Sequence, residues 1–497
     1  MGIVARQSII TSFISYTGIV VGYLNLVYLY PKFLELEQVG LLRTIQDAAI
    51  LMVPLASIGI PQIISRYYPR YAAASGRYAG FLGLLLITAA TGFIIVSVIF
   101  TFSKDFLFSS FREKAPQVME HTGLILLMLL LLCYFGIFEQ IARSQIRAAT
   151  PAFLREVVLR ILQAGILGLY VTNWITFDHF LLLSVLLYAG LLVFLFFYLD
   201  FLKTGIKLPF RHFKKDELRE LLVFGLISFV GISATMILSK IDSLMVSGMV
   251  GLEAAAIYTT TFYMATVIEV PKRAMTQSAT AVLSIAFEKG NLKNGERIYR
   301  QTALNQLIIG GLLMIGLWAN TSNIFEIMPK GNLYSAGANV ILFIGLTRLI
   351  DMSFGPSSEV IGLSRYYWVN LVVISFLAVA SVVMNLYLIP RMGIDGAAVG
   401  TLIAILSYNL IKFIFITIKI GIQPFSKFTV RSLVVIGMTV GLNLMIPDFE
   451  NVWVDVLIRS SALSLFYASF ILAFNCSPEV KEQFDLIRKK LGLTRSL

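Results

Sequence analysis

The residues with the most chemistry to offer stand in stretches that are otherwise apolar: Arg43, Lys240, Lys272, Arg273 and Arg348 among the bases, Asp47, Asp242, Glu269 and Asp351 among the acids. Most fall at one-turn spacing, which brings side chains together on one helix face. Arg43 and Asp47 are i,i+4, Arg348 and Asp351 are i,i+3, and Glu269 reaches both Lys272 and Arg273 across Pro271 in "ATVIEVPKRAMTQSA". Lys240 differs, because Asp242 is two positions on and so on another face; it reads as an unpaired charge in mid-segment. Lys412 also has no acid one turn away, and it lies near enough to a segment end to snorkel. Glu139 with Arg143 and Glu156 with Arg160 read as pairs that neutralise each other at segment ends. The bases donate charge-assisted hydrogen bonds to phosphate oxygens, so they are the expected binding residues for a phosphate-bearing ligand. Asp47, Asp242, Glu269 and Asp351 are the carboxylates available for ion or proton coupling.

The elements that carry these charges are membrane helices. Hydrophobic residues make up 58% of the 497 and charged residues 14%, and the mean hydropathy is +0.83. A water-soluble surface cannot be made from that mixture, so the chain reads as an all-α polytopic membrane protein. Apolar runs of about 18 to 24 residues recur along its length, each long enough as a helix to cross a hydrocarbon core of roughly 30 Å. They place about fourteen spans, at 9–30, 41–64, 79–101, 121–141, 153–172, 179–202, 221–247, 255–277, 302–322, 334–356, 367–389, 396–418, 432–447 and 457–475. An intramembrane charge costs a few kcal/mol on insertion scales, so it faces a protein interior or a water-filled cavity.

Of the 40 Lys and Arg residues, about 26 fall in links on one side and about 6 on the other, so the positive-inside rule orients the chain with both termini cytoplasmic. The basic segment "KTGIKLPFRHFKKDELRE" is inside, whereas the links "NWITFD" and "GMVGLE" contain no Lys or Arg. The net charge of +12 thus reflects topology and attraction to anionic lipid, with no nucleic acid implied. Beyond Pro478 the tail alternates apolar and basic positions as an amphipathic helix on the inner leaflet.

Cys133, Cys476 and three scattered histidines form neither a disulfide framework nor a metal-ligand cluster. No G-x-x-x-x-G-K-[ST] or H-E-x-x-H occurs, so no nucleotide or catalytic zinc is expected, and no cofactor. The longest outer link, "FSKDFLFSSFREKAPQVME", has about 19 residues, too few for a catalytic domain. That argues against a membrane glycosyltransferase or polymerase.

The chain also repeats. Ser12 and Ser228, and Leu36-Glu37 and Leu252-Glu253, are displaced by about the same 216 positions, and Pro54 and Pro271 by one more. The boundaries that follow are 1–220 for a first lobe of six spans, 221–419 for a second, and 420–497 for two further spans and the tail. Gly18 with Gly22 and Gly396 with Gly400 give G-x-x-x-G spacings that permit close helix approach.

The segments Gly40–Tyr71, Ser239–Lys272 and Leu388–Ala404 ("LIPRMGIDGAAVGTLIA") resemble the Wzx-like oligosaccharide or polysaccharide flippases of the multidrug/oligosaccharidyl-lipid/polysaccharide (MOP) exporter superfamily. The resemblance implies two pseudo-symmetric six-helix lobes in a V, with two extra C-terminal helices. It also implies alternating access by a secondary transporter that flips a polyprenyl-pyrophosphate-linked sugar between leaflets of the inner membrane. The implied partners are that lipid-linked oligosaccharide, membrane lipid and a polysaccharide polymerase. A drug exporter of the same superfamily is the alternative; it would bind organic cations and want unpaired interior carboxylates. In cysteine-accessibility labelling, Arg211 to Lys215 and the C-terminus are expected to react from the cytoplasmic side and the Lys104 to Lys114 link from outside. Labelling of both links from one side would overturn the span count.

Overall fold

The computed structural model describes residues 3–72, 77–107, 109–201, 213–479 and 482. The expected tail helix, and Arg211 within the basic segment expected inside, lie outside the described residues. Among those described, every regular element is a helix. Two compact units form, Met1–Thr260 with Ile389–Ile394, and Thr261–Leu388 with Asp395–Leu497.

In the first unit α1 (Ile3–Tyr23) runs through a π-helical stretch, Leu24–Leu29, into α2 (Tyr30–Phe33). There follow α3 (Leu36–Ser57), α4 (Ile60–Ala72), α5 (Arg77–Leu107), the short α6 (Ser109–Lys114) and α7 (Pro116–Glu120), and α8 (Thr122–Ser144). α9 (Ala149–Phe153) is joined by a second π stretch, Leu154–Val158, to α10 (Leu159–Val171), and α11 (Phe177–Phe201) and α12 (Lys215–Met249) complete the set. α13 (Leu252–Thr266), in which the division falls, passes through a 3-10 turn, Val267–Glu269, into α14 (Val270–Glu288). The second unit continues with α15 (Leu292–Ala319), α16 (Thr321–Ile327), α17 (Gly331–Tyr334), α18 (Ala338–Ser353), α19 (Ser357–Leu363), α20 (Val369–Met392), α21 (Ile394–Lys419), α22 (Lys427–Asn443) and α23 (Val452–Ala473). The first unit includes α12, which the sequence boundary at 220/221 assigns to the second lobe, because α12 lies along α3.

Eleven of the described helices are long and apolar enough to cross a membrane. The three other expected spans are helical too, and each departs from the simple pattern for a visible reason. Span 153–172 contains the π stretch with Arg155 and Glu156. Span 255–277 is interrupted by the 3-10 turn that carries Glu269, ahead of Lys272 and Arg273. Span 432–447 starts inside α22 but runs past its end at Asn443; the helix, Lys427–Asn443, has 17 residues, about 26 Å. The link after residue 101, expected outside, is largely helical, since α5 continues to Leu107 and α6 and α7 follow.

Two helices organise the cores. α8 packs against α3, α4, α5 and α11 in the first unit, and α15 against α14, α18, α22 and α23 in the second. α3 ends where Ile58 and Gly59 take positive φ, and the corner abuts α12 so closely that a Cβ on Gly59 would meet Gly225 O at 2.5 Å. The G-x-x-x-G of α1 receives an E-x-x-x-R face. A Cβ on Gly18 would meet Glu156 Cβ at 2.6 Å, and the Arg160 guanidinium fills the space over Gly22 while donating to Gly18 O. Asn25, in the first π stretch, donates back to Arg160 O at 2.8 Å. Gly22→Val should therefore lower stability by about 1–3 kcal/mol through overpacking. Gly165→Val, where a Cβ meets nothing within 4 Å, should leave the thermal unfolding midpoint unchanged; equal midpoints for the two variants would refute this packing.

Candidate functional site

In the first unit α3 and α12 run antiparallel, and one face of α3 makes the contact. Gly40 lies against the Leu252 carbonyl just past α12, Thr44 Oγ1 is 2.7 Å from Ser247 Oγ, and Asp47 Oδ1 is 2.7 Å from Lys240 Nζ. As one register advances from 40 to 47 the other falls from 252 to 240, which is what antiparallel helices require. Gly40 permits the approach, since any Cβ there would strike backbone. Asp47 is buried and Lys240 is about one-fifth exposed, at 20%.

This corrects the reading of Lys240 as an unpaired charge: its partner sits on another helix. It also changes the partner of Asp47, which reaches across to α12 while Arg43 donates to Gln46 Oε1 at 3.0 Å and lies 5.7 Å from the Tyr30 ring centroid. Asp242 occupies a different face, as its spacing from Lys240 required; it is buried and accepts from Tyr258 OH at 3.2 Å.

In the second unit four charges form a square. Arg348 Nη1 donates to Glu269 Oε2 at 3.0 Å, and Lys272 donates to Asp351 Oδ2. The pairs join α18 to the 3-10 turn and α14, so Glu269 holds Arg348 where sequence spacing offered Lys272 or Arg273, and Asp351 holds Lys272 where it offered Arg348. Local geometry explains the alignment. Residues three apart eclipse in a 3-10 turn, so the turn at Val267–Glu269 aims Glu269 and Lys272 at one neighbour. Pro271 follows in the first turn of α14, where its missing N–H costs no hydrogen bond. The pairs 269 with 348 and 272 with 351 advance together, so the two segments run parallel, as they must when the single long helix α15 returns the chain between them.

α21 completes this cluster with residues that spacing rules had not assigned to it. Asn409 Nδ2 donates to Asp351 Oδ1 at 3.0 Å. Lys412 is buried, donates to Ser358 Oγ at 2.8 Å, and lies 4.2 Å from the Tyr408 ring centroid. It is thus held inside the unit, where a position near a helix end suggested snorkelling. Arg273 is exposed and makes neither of the two ion pairs of the square. The four square side chains remain between 19% and 23% exposed, open enough for a ligand to touch.

Two further charge clusters lie at the edges. Glu139 accepts from Arg143 at 2.6 Å and from Arg155 at 2.9 Å, tying α8 to the π stretch. In α23, Arg459 is gripped by Asp455 through two bonds of 3.0 Å, by Asp448 at 2.8 Å and by Asn443 at 3.2 Å, while Asn323 donates to Asp455. The i,i+4 spacing of Asp455 and Arg459 was a readable signal of this knot. With every donor face occupied, it reads as a structural pin.

Comparison with known proteins fixes the family. The profile of the family described as polysaccharide biosynthesis protein (Polysacc_synt) matches residues 4–282. The chain belongs to this family. The match takes in α3, α12, Glu269, Lys272 and Arg273, while Arg348 and Asp351 lie beyond it. Among solved structures, the lipid II flippase MurJ in an inward closed conformation is similar over 94% of this chain and 98% of its own, at 14% identity and a TM-score of 0.74. An inward-facing multidrug resistance MATE family transporter of the MOP superfamily covers 82% of this chain and 94% of its own, at 17% identity and a TM-score of 0.62. A MOP superfamily transporter from Pyrococcus furiosus Vc1, whose binding pocket is described as reversed in polarity, covers 84% of this chain and 95% of its own, at 17% identity and 0.53. The fold of this family member is therefore shared with these three solved structures. No curated protein matches the sequence.

The bridge between α3 and α12 makes a measurable demand. Lys240→Ala leaves Asp47 buried without its cation, so stability should fall on the order of 2 kcal/mol, below the range for a fully buried pair because Lys240 is partly exposed. Asp47→Asn combined with Lys240→Met should restore most of that loss in thermal unfolding. A single Lys240→Ala variant as stable as the unaltered protein would refute the bridge.

Proposed function

We propose that the protein flips a polyprenyl-pyrophosphate-linked oligosaccharide from the cytoplasmic to the outer leaflet of the inner membrane, by alternating access and without covalent chemistry. The observation that carries this reading is the square of Glu269, Lys272, Arg348 and Asp351, partly open side chains set within otherwise apolar helices. Arg348 and Lys272 offer phosphate oxygens a planar fork and a point charge side by side. Lys240 and Arg43 supply cations in the first unit, and Arg273 adds one at the edge of the second. The polyprenyl tail stays in the bilayer while the polar head group crosses. Both termini are cytoplasmic in this reading, as the distribution of Lys and Arg implies.

A membership in the polysaccharide biosynthesis protein family supports a sugar-bearing cargo, and the neighbour named as a flippase of lipid II supports a lipid-linked one. Driving force comes from the membrane potential or an ion gradient, with Asp47, Asp242, Glu269 and Asp351 as the coupling carboxylates. Organic cations fit this site poorly, since Asp47, Glu269 and Asp351 each already hold a base.

The test is leaflet exchange in proteoliposomes with a pyrophosphate-linked oligosaccharide, scored by lectin access, alongside complementation of a flippase-deficient strain scored by surface polysaccharide. Arg348→Ala and Lys272→Ala, at matched protein levels, should each slow exchange at least about tenfold, the loss of one charge-assisted contact to phosphate. Undiminished exchange in both variants, or sugar transfer in place of exchange, would sink the proposal.

A further inference from the structure

The square has a property that a simple binding site would not need. Each of its cations is already occupied by a carboxylate of the same chain, and each carboxylate has a second base in reserve. Glu269 holds Arg348, and Arg273 stands one turn along its own helix at i,i+4. Asp351 holds Lys272 and accepts from Asn409, and Lys412, one turn beyond Asn409 on α21, lies within electrostatic reach of it. Arg348 Nε is buried with no hydrogen-bond partner, so its fork has donor capacity left over.

We propose that Glu269 and Asp351 are stand-in anions that a ligand's phosphates displace, and that they make the site selective for a doubly charged pyrophosphate over a singly charged phosphodiester. The inference rests on the flippase reading for the identity of the cargo, not for the selection itself. Its physical basis is competition. A carboxylate tethered to the same chain acts at an effective concentration in the millimolar range, so an anion with one charge replaces one contact by an equivalent one and gains little. An anion with two charges takes Lys272 and Arg348 together, and the released carboxylates fall back on Arg273 and Lys412. No charge is then left unpaired in a low-dielectric setting. The balance of charge agrees: Lys272, Arg273, Arg348 and Lys412 against Glu269 and Asp351 leave two positive charges, the number that a pyrophosphate diester neutralises.

The experiment measures binding of two small probes to the full chain in nanodiscs by calorimetry: P1,P2-dimethyl pyrophosphate, with two charges, and dimethyl phosphate, with one. The unaltered protein should bind the first at least about tenfold more tightly, a difference of about 1.4 kcal/mol. Glu269→Gln and Asp351→Asn should strengthen binding of dimethyl phosphate and bring the ratio to about three or below. Asp351→Glu, which keeps the charge, should keep the ratio. Arg273→Gln, an exposed position where folding is not at risk, should weaken the two-charge probe about threefold and leave the one-charge probe nearly unchanged. An unchanged ratio in both carboxamide variants, parallel loss of both probes in them, or no binding of either probe by any form would overturn the inference. If the ratios behave as expected but the unaltered protein fails to exchange the lipid-linked oligosaccharide, the flippase reading falls and the charge selection stands; exchange with unaltered ratios gives the reverse.

Discussion

A charge surrounded by hydrocarbon must find a partner, and in this protein the partner is repeatedly on another helix. Lipid tails are as apolar as leucine, so membrane helices gain little by hiding apolar faces from one another and associate instead through close packing and polar contacts. Asp47 and Lys240 join α3 to α12, the square joins α18 to the turn before α14, and Glu139 with Arg155 joins α8 to the π stretch. Glycine sets the spacing at the closest of these contacts, at Gly40 against Leu252 and at Gly18 and Gly22 against Glu156 and Arg160.

Two of the departures from α-helical geometry coincide with the same residues. The π stretch Leu154–Val158 carries Arg155 and Glu156, and the 3-10 turn Val267–Glu269 carries Glu269. Over- or under-winding by one residue redirects the side chains that follow, and in a membrane it is tolerated where protein covers the loosened backbone. Both breaks fall where a charged side chain has to be aimed at a neighbouring element rather than along its own helix.

The all-helical membrane architecture was legible in composition and in the length of the apolar runs, and so were the residues of the square. Their partners were not. Helical spacing reports which side chains share a face of one helix, so it offered Arg348 to Asp351 and Lys272 to Glu269. Which helix lies opposite is decided by packing that no single segment encodes. Lys240 shows the limit most sharply, since no acid stands three or four positions from it and its counterion is nearly two hundred residues away in the chain. The interruption at Pro271 could be read because proline removes a donor, whereas the π stretches have no comparable mark. The Asp455 and Arg459 knot had the same one-turn spacing as the residues that were singled out, and its bonds to Asn323 and Asp448 again come from outside its helix.

The brevity of α22 has a consequence for the surrounding lipid. Its 17 residues give about 26 Å of helix, less than a hydrocarbon core of roughly 30 Å. A helix that falls short obliges the bilayer to dimple toward it or draws flanking polar side chains outward to meet the head groups, at a fraction of a kcal/mol for each ångström. Lys427 opens α22 with a basic head suited to that outward reach, while Arg431, one turn on, donates to the Phe474 carbonyl at 3.2 Å. The lipid beside this helix therefore thins toward it or meets polar side chains at a shallower depth than beside its longer neighbours.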